Sequence, residues 1–222
     1  MSDPLLTAEE ARVLGCLLEK EMTTPDYYPL TANSLIAACN QSTNRDPVVS
    51  FDEATVEEAL AGLRRKKLAA MLHLAGSRAP KYRHLAEDYF PGLGKGERSL
   101  LTVLLLRGPQ SAAELRTRTE RMHFFPDNEH AETALQRLAG YQTGPLVELL
   151  PPGSGRRAAT WVTLLAGGDA PKSDSVSSPA PASAVPVADW RTGMEGDLAA
   201  LRAEVHALRE RVAALETALG GV

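Results

Sequence analysis

The chain has 222 residues, of which 44% are hydrophobic and 23% are charged, and its net charge is −4 at pH 7. This length and apolar content suffice for one large or two small domains, and the negative charge excludes a simple polybasic nucleic-acid coat. The N-terminus shows no secretory signal and no apolar run approaches the ~20 residues of a membrane span, so we expect a cytoplasmic protein with no membrane partner. Both cysteines, Cys16 and Cys39, fall at apolar helical positions and are expected to be buried free thiols.

The first part of the chain predicts three helices followed by a β-hairpin. Three side chains stand where helix N-caps are expected: Thr7 (with Glu10 in a capping box), Thr31 and Asp52. The third helix ends at the basic run 64–67, where cations suit the helix dipole. Two apolar-rich arms, 68–74 and 81–85, flank a cluster of turn residues and predict the hairpin.

The same order of elements recurs about 75 to 80 residues later. A leucine-rich helix over 97–107 precedes two further N-cap candidates, Ser111 and Asp127. The arms of a second hairpin follow at 146–150 and 159–165. Because chance rarely keeps such spacing over a whole unit, we interpret the chain as one unit present twice.

Individual positions of the two units correspond as well. Leu30 matches Gln110, and Tyr82 matches Trp161. Three helices followed by a two-stranded wing is the plan of the winged helix-turn-helix. We therefore predict a mainly α fold with small β-hairpin wings, built as tandem winged helix-turn-helix domains. The two domains are expected over residues 5–92 and 93–166.

The C-terminal part differs in composition from the rest. Residues 167–189 are rich in Ala, Pro and Ser and predict a linker. Residues 190–219 predict a coiled-coil helix, because apolar residues recur there in alternating steps of three and four. Valine at two a positions and leucine at every d position favour a parallel homodimer through residues 194–219. The alternative is a lone amphipathic helix that packs on the domains.

Several stretches of the sequence resemble the YceH-like family of uncharacterised bacterial proteins. They are 12–21, 23–30, 38–48 and 106–111, together with Glu114-Leu115-Arg116 and Arg121-Met122-His123. The resemblance covers roughly residues 7–165 and implies tandem winged-helix domains. It implies no activity, and it does not extend to the linker or the coiled coil.

The sequence holds no motif that indicates an enzyme or a bound cofactor. It has no Walker loop, no zinc-type cysteine pair and no HExxH motif. The densest group of possible metal ligands is His123, Asp127, Glu129 and His130, but Asp127 is already explained as a helix cap. We expect no catalysis and no metal.

A winged helix-turn-helix usually places the start of its third helix in the major groove of DNA. Here the third helices begin with Asp52 and Asp127 and continue with glutamates, which repel phosphates. The basic residues lie at the end of the first of these helices and in the wings: Arg64, Arg65, Lys66, Lys67, Arg78, Lys81, Arg156 and Arg157. We expect a DNA-binding or transcription-regulatory protein that contacts double-stranded DNA through these residues. The alternative is a protein-interaction scaffold or adaptor that uses winged helices without DNA.

The loop between the second and third helices, Asn40–Val48, has no counterpart in the second unit. Asn40 is expected to end the second helix in the left-handed conformation. Two interpretations of the loop stay open. Either Asn44 and Asp46 stitch it internally while Arg45 pairs with a nearby acid, or Asn44 and Arg45 face a ligand or partner that carries phosphate or carboxylate.

Overall fold

The computed structural model describes residues 5–73, 79–152 and 158–167. Within these ranges the helices are α1 (Ala8–Thr23), α2 (Ala32–Cys39), α3 (Glu53–Arg65), α4 (Ala86–Tyr89), α5 (Lys95–Arg107), α6 (Ala112–Thr119) and α7 (Asn128–Ala139). The strands are β1 (Leu30–Thr31), β2 (Ala69–Leu72), β3 (Lys81–His84), β4 (Val147–Leu150) and β5 (Thr160–Thr163), and a 3₁₀ turn spans Pro25–Tyr27. The prediction of a mainly helical fold with small antiparallel sheets is confirmed. The predicted coiled coil and its dimer seam, and residues 168–189 of the predicted linker, lie outside the described residues.

The first repeat comprises α1–α3 and a three-stranded antiparallel sheet in the order β1-β3-β2. The predicted N-caps of its helices are confirmed: the side chains of Thr7, Thr31 and Asp52 each accept a backbone N–H of the first turn. The two-residue strand β1 was not predicted from the sequence. It pairs with β3 so that Leu30 lies opposite Tyr82.

The second repeat comprises α5–α7 and the antiparallel hairpin β4–β5. Ser111 and Asp127 cap α6 and α7 as predicted. Gln110 forms an isolated antiparallel bridge with Trp161, through hydrogen bonds of 3.0 and 2.7 Å. The pair therefore stands where Leu30 and Tyr82 stand in the first repeat, which agrees with the correspondence seen in the sequence.

The two repeats share one hydrophobic cluster, and their first helices lie against each other in it. Gly15 of α1 makes this close approach possible. A Cβ atom there would meet Leu106 Cδ2 of α5 at 2.8 Å, which is closer than real Cβ contacts. Cys16, the next residue of α1, and Cys39 are both buried free thiols, as predicted.

The first and last described segments also meet. The backbone N–H of Leu6 donates to the carbonyl of Leu165 at 2.8 Å, and Leu6 forms a parallel bridge with Ala166. Leu6 and Leu165 are both buried, so the start of the first repeat is fixed to the end of the second. Among the helices of the described ranges, none is long and apolar enough to cross a membrane.

Candidate nucleic-acid interface

The four basic residues at the end of α3 differ in their exposure to solvent. The side chains of Arg64, Arg65 and Lys67 are exposed, whereas Lys66 is half-buried. The Lys66 ammonium contacts Glu10 Oε2 on α1, and Glu10 is buried and belongs to the capping box of that helix. Lys66 therefore serves the contact between α1 and α3, and the other three cations face solvent.

Lys67 ends α3 in a conformation that usually requires glycine. Its φ is +59°, in the left-handed region. Its N–H donates to the carbonyl of Arg64 at 3.1 Å, and the N–H of Leu68 donates to that of Leu63 at 2.9 Å. These are the two hydrogen bonds of a Schellman motif, in which a residue other than glycine pays a steric penalty at this position.

The outward face of β3 is basic as well. Lys81 and Arg83 alternate with the buried residues Tyr82 and His84, as the period of a strand requires. Arg83 lies opposite Ala70, only three residues beyond Lys67 in sequence. The five cations Arg64, Arg65, Lys67, Lys81 and Arg83 are called the basic surface below. Arg83 was missed in the sequence, although the period of two with Lys81 would have found it.

Lys81 also lines a groove of about 420 Å³ at the start of α2. The other lining residues include Lys20, Asp26, Tyr27, Thr31 and Ser34. Tyr27 is 77% exposed, so the groove is open to a large molecule. Two basic residues and several hydroxyls in one concave surface suit a nucleic-acid backbone, although the exposed carboxylate of Asp26 opposes phosphate there. The remaining predicted wing residues, Arg78, Arg156 and Arg157, lie outside the described part of the chain.

The start of α3 has the opposite charge. Asp52, Glu53, Glu57 and Glu58 are all exposed. Hydrogen bonds from the hydroxyl and the N–H of Thr55 lower the pKa of Asp52, which keeps this carboxylate ionised. A helix with four carboxylates on its exposed N-terminal half repels DNA phosphates, as the sequence had indicated.

The exposed start of α7 is acidic as well. Glu129 and Glu132 are exposed, and Asp127 accepts the N–H of His130 at 2.9 Å. This hydrogen bond, followed by the one from the His130 ring, lowers the pKa of Asp127. In the described ranges, no three His, Cys, Asp or Glu side chains are arranged to hold a metal ion.

The loop after α2 is held by Asn40 and Arg45. Asn40 has φ −90°, so the expected left-handed ending is wrong, and Asn44 is the left-handed residue at φ +59°. The reason is a contact distant in sequence: the Asn40 amide exchanges two 2.8 Å hydrogen bonds with the backbone of Phe51.

Arg45 is buried, and its guanidinium donates to both oxygens of Glu19, at 3.0 and 2.7 Å. It also donates to the carbonyl of Ala38 at 3.0 Å. Burial lowers the pKa of Arg45, but the hydrogen bonds and charge of Glu19, together with the interactions of Cys16, outweigh it and the pKa is raised. Arg45 therefore pairs with a nearby acid, as the first interpretation expected, whereas Asn44 bonds outside the loop, to Arg107. Of the two residues that the second interpretation turned towards a ligand, only Asn44 is exposed.

Comparison with known proteins identifies one family. The family model described as "Protein of unknown function, DUF480" matches residues 6–156. Three similar proteins are each named UPF0502 protein. The one from Opitutus terrae is 49% identical over 199 residues, which cover 90% of this chain and 84% of that protein. The one from Pelobacter propionicus is 46% identical over 214 residues, covering 95% and 93%. The one from Solibacter usitatus is 51% identical over 162 residues, covering 73% and 76%.

Proposed function

Since this chain belongs to the DUF480 family of proteins of unknown function, we propose a function from its own surface: a DNA-binding regulator that holds the phosphate backbone through the basic surface. Membership confirms the resemblance seen in the sequence motifs. The proposal includes tandem winged helix-turn-helix domains over residues 5–92 and 93–166. Support for this architecture comes from the order of three helices and a hairpin that both repeats follow. The proposal assigns the protein no catalytic activity and a cytoplasmic location.

The observation that carries the proposal is that the five cations of the basic surface are not neutralised by neighbouring carboxylates of the described chain. Among the described residues, none of the five has an ion-pair partner, whereas Lys66 beside them is paired with Glu10. Lys67 also keeps a cation where glycine would relieve backbone strain. Strained residues persist where the surrounding structure or a function requires them.

The acidic start of α3 decides the mode of binding. Direct reading of base edges needs the start of the third helix in the major groove, and four carboxylates there oppose it. Contacts from the end of α3 and from the hairpin reach phosphates, which carry no sequence information directly. We therefore expect binding that depends steeply on salt and weakly on sequence.

The acidic helices favour a second candidate, the scaffold or adaptor. The exposed starts of α3 and α7 present carboxylates, and Phe124 close to α7 is 65% exposed. An acidic face with an exposed aromatic ring suits a basic protein partner. Absence of DNA binding at low salt would favour this candidate.

A homodimer through residues 194–219 is part of the same proposal. A dimer doubles the number of basic surfaces on one DNA molecule and raises the avidity. Each buried apolar side chain of the seam contributes about 1.5–3 kcal/mol, so replacing Leu201 and Leu208 by Glu should dissociate the dimer. Light scattering on the full chain checks this, and a monomeric unmodified chain would contradict it.

The test of DNA binding compares two charge-matched variants of the full chain. In the first, Arg65 and Arg83 are replaced by Ala, and in the control Lys95 and Arg116 of the second repeat are replaced. Fluorescence anisotropy with duplex DNA is measured between about 50 and 200 mM salt, where phosphate contacts weaken strongly. The first variant should lose affinity for every sequence alike, and its salt slope should fall by about 2. Equal affinities of the two variants would refute the assignment of the surface.

A further inference from the structure

A second concave site lies between the two repeats. Its walls are the end of α1, the loop after α2, the end of α5 and the end of α6, and its volume is about 230 Å³. We call it the inter-repeat cleft. The charged residues that line it are Lys20, Arg107, Arg118, Arg121 and Glu19, and the neutral Asn44 lies among them.

The charge of the inter-repeat cleft is strongly positive. Four cations line it, and Glu19 is the one acid in the lining that the structure describes. Glu19 already accepts from Nη1 and Nη2 of Arg45 and lies 3.6 Å from the ammonium of Lys20. Two further acids act on these cations. Oε1 of Glu114 lies 3.7 Å from Nη2 of Arg118 while its Oε2 accepts the N–H of Ser111, and the charge of Asp46 acts on Arg107. With Arg45, five cations stand against the three carboxylates of Glu19, Glu114 and Asp46. The cations of the cleft therefore exceed the negative charge available to them.

Arg107 shows the effect of this excess. Its Nη1 donates to Oδ1 of Asn44 at 3.2 Å, which joins the two repeats across the cleft. Its Nε is buried and has no acceptor among the described residues. Burial, followed by the charge of Arg118, lowers the pKa of Arg107. An anion in the cleft would supply an acceptor and offset the repulsion between these two cations.

Asn44 could also donate a hydrogen bond to an anion in the cleft. The left-handed backbone at φ +59° holds this exposed residue in the cleft lining. Since Oδ1 accepts from Arg107, the Nδ2 group remains as a donor, and the described residues offer it no acceptor. Strained backbone of this kind is often found at ligand sites.

We propose that the inter-repeat cleft binds a small phosphorylated anion, held by Arg107, Arg118 and Arg121 of the second repeat and by Lys20 and Asn44 of the first. Guanidinium groups from separate positions suit the several oxygens of a phosphate. The volume is below the about 300–1,000 Å³ of sites for drug-sized ligands, so the ligand has the size of pyrophosphate or of a three-carbon sugar phosphate. The site goes beyond the proposed DNA binding and does not depend on it.

The test measures the binding of sodium pyrophosphate to the full chain by calorimetry and by the shift in melting temperature. Ionic strength is kept constant with NaCl, because exposed cations attract any anion. Pyrophosphate should bind saturably at one site and raise the melting temperature. Succinate, a dicarboxylate of similar size, should bind more weakly.

Three variants localise the site. Arg121 is exposed, so Arg121→Ala should fold normally and weaken pyrophosphate binding at least tenfold. Asn44→Gly keeps the left-handed backbone, because glycine adopts it freely, and should weaken binding as well. Arg116→Ala removes a charge from α6 outside the cleft and should leave the affinity unchanged.

Three results would overturn the proposal: no saturable pyrophosphate binding, equal affinities in Arg121→Ala and Arg116→Ala, or tighter binding of succinate than of pyrophosphate. Because the readout contains no DNA, failure of the proposed DNA binding and failure of this site are distinguishable. Pyrophosphate binding without DNA binding would sustain this inference alone, and the reverse result would sustain only the function proposed above.

Discussion

Replacement of Arg45 by alanine should unfold the loop after α2 and destabilise the first repeat. The side chain of Arg45 is fully buried, and that of Glu19 is only 12% exposed. Removing the guanidinium leaves the Glu19 carboxylate with Lys20 at 3.6 Å as its remaining cation. It also leaves the carbonyl of Ala38 without this donor.

The magnitude follows from the burial of the pair. Removing one partner of a buried ion pair costs about 3–5 kcal/mol, because the other charge stays in a place of low polarity. In a folded unit of this size each kcal/mol shifts the melting temperature by about 2–4 °C. We therefore expect Arg45→Ala to melt about 6–20 °C below the unmodified chain.

The assay is thermal and urea unfolding of the full chain, followed by circular dichroism. Gln41 provides a matched control, because it accepts one hydrogen bond from Arg45 at 3.0 Å but is only half-buried. Gln41→Ala should cost about 1 kcal/mol or less. Combining Arg45→Met with Glu19→Gln should cost less than the sum of the single variants, since neither then leaves a buried charge. A loss below about 1 kcal/mol for Arg45→Ala would refute this account of the loop.

Three further variants test other parts of the structure. Gln110 is 3% exposed, and neither atom of its amide has a hydrogen-bond partner in the described chain. Gln110→Leu introduces the residue found at the counterpart position, Leu30, and should raise the unfolding free energy by about 1–3 kcal/mol. A lower free energy of unfolding in urea would contradict this. Lys67→Gly should raise the unfolding free energy by about 0.5–1 kcal/mol, because glycine relieves the strain of the left-handed backbone. The same variant should bind DNA more weakly. Fluorescence anisotropy with DNA and urea unfolding, measured on one sample, would show whether stability rises while affinity falls. The hydrogen bond with His84 at 2.7 Å lowers the pKa of Glu21, so its stabilisation is present above pH 4.5, the ordinary pKa of a glutamate, and is lost as the pH falls through the lower folded value. Glu21→Gln should flatten the acid side of a plot of melting temperature against pH, and an unchanged acid slope would count against this contact.

Local patterns in the sequence predicted most of the fold. Capping residues such as Thr7 and Asp127 act on the helix that directly follows them, so their role is visible in a few neighbouring residues. The repeat predicted the equivalence of the two hairpins, because the same spacing of apolar residues builds the same unit twice. Strand β1 was missed because two residues are too short to show a period.

The candidate site was predicted less completely, since its state depends on partners that are far apart in sequence. Lys66 looks like one cation of four until Glu10, 56 residues earlier, is found against it. Arg45 finds its acid 26 residues earlier, at Glu19. The inter-repeat cleft needs side chains of both repeats, and no periodicity indicates which of them converge.

The hydrogen bond between Leu6 and Leu165 makes the folded unit nearly a closed ring of chain. A short peptide joining these two places would need to span only a small gap, and the exposed turn between Gln142 and Thr143 offers a position for new termini. A circularly permuted chain of this kind would begin inside the second repeat, pass through the joint into the first, and return to α7. Such a chain would show whether the two repeats form the same structure together when they are synthesised in a different order.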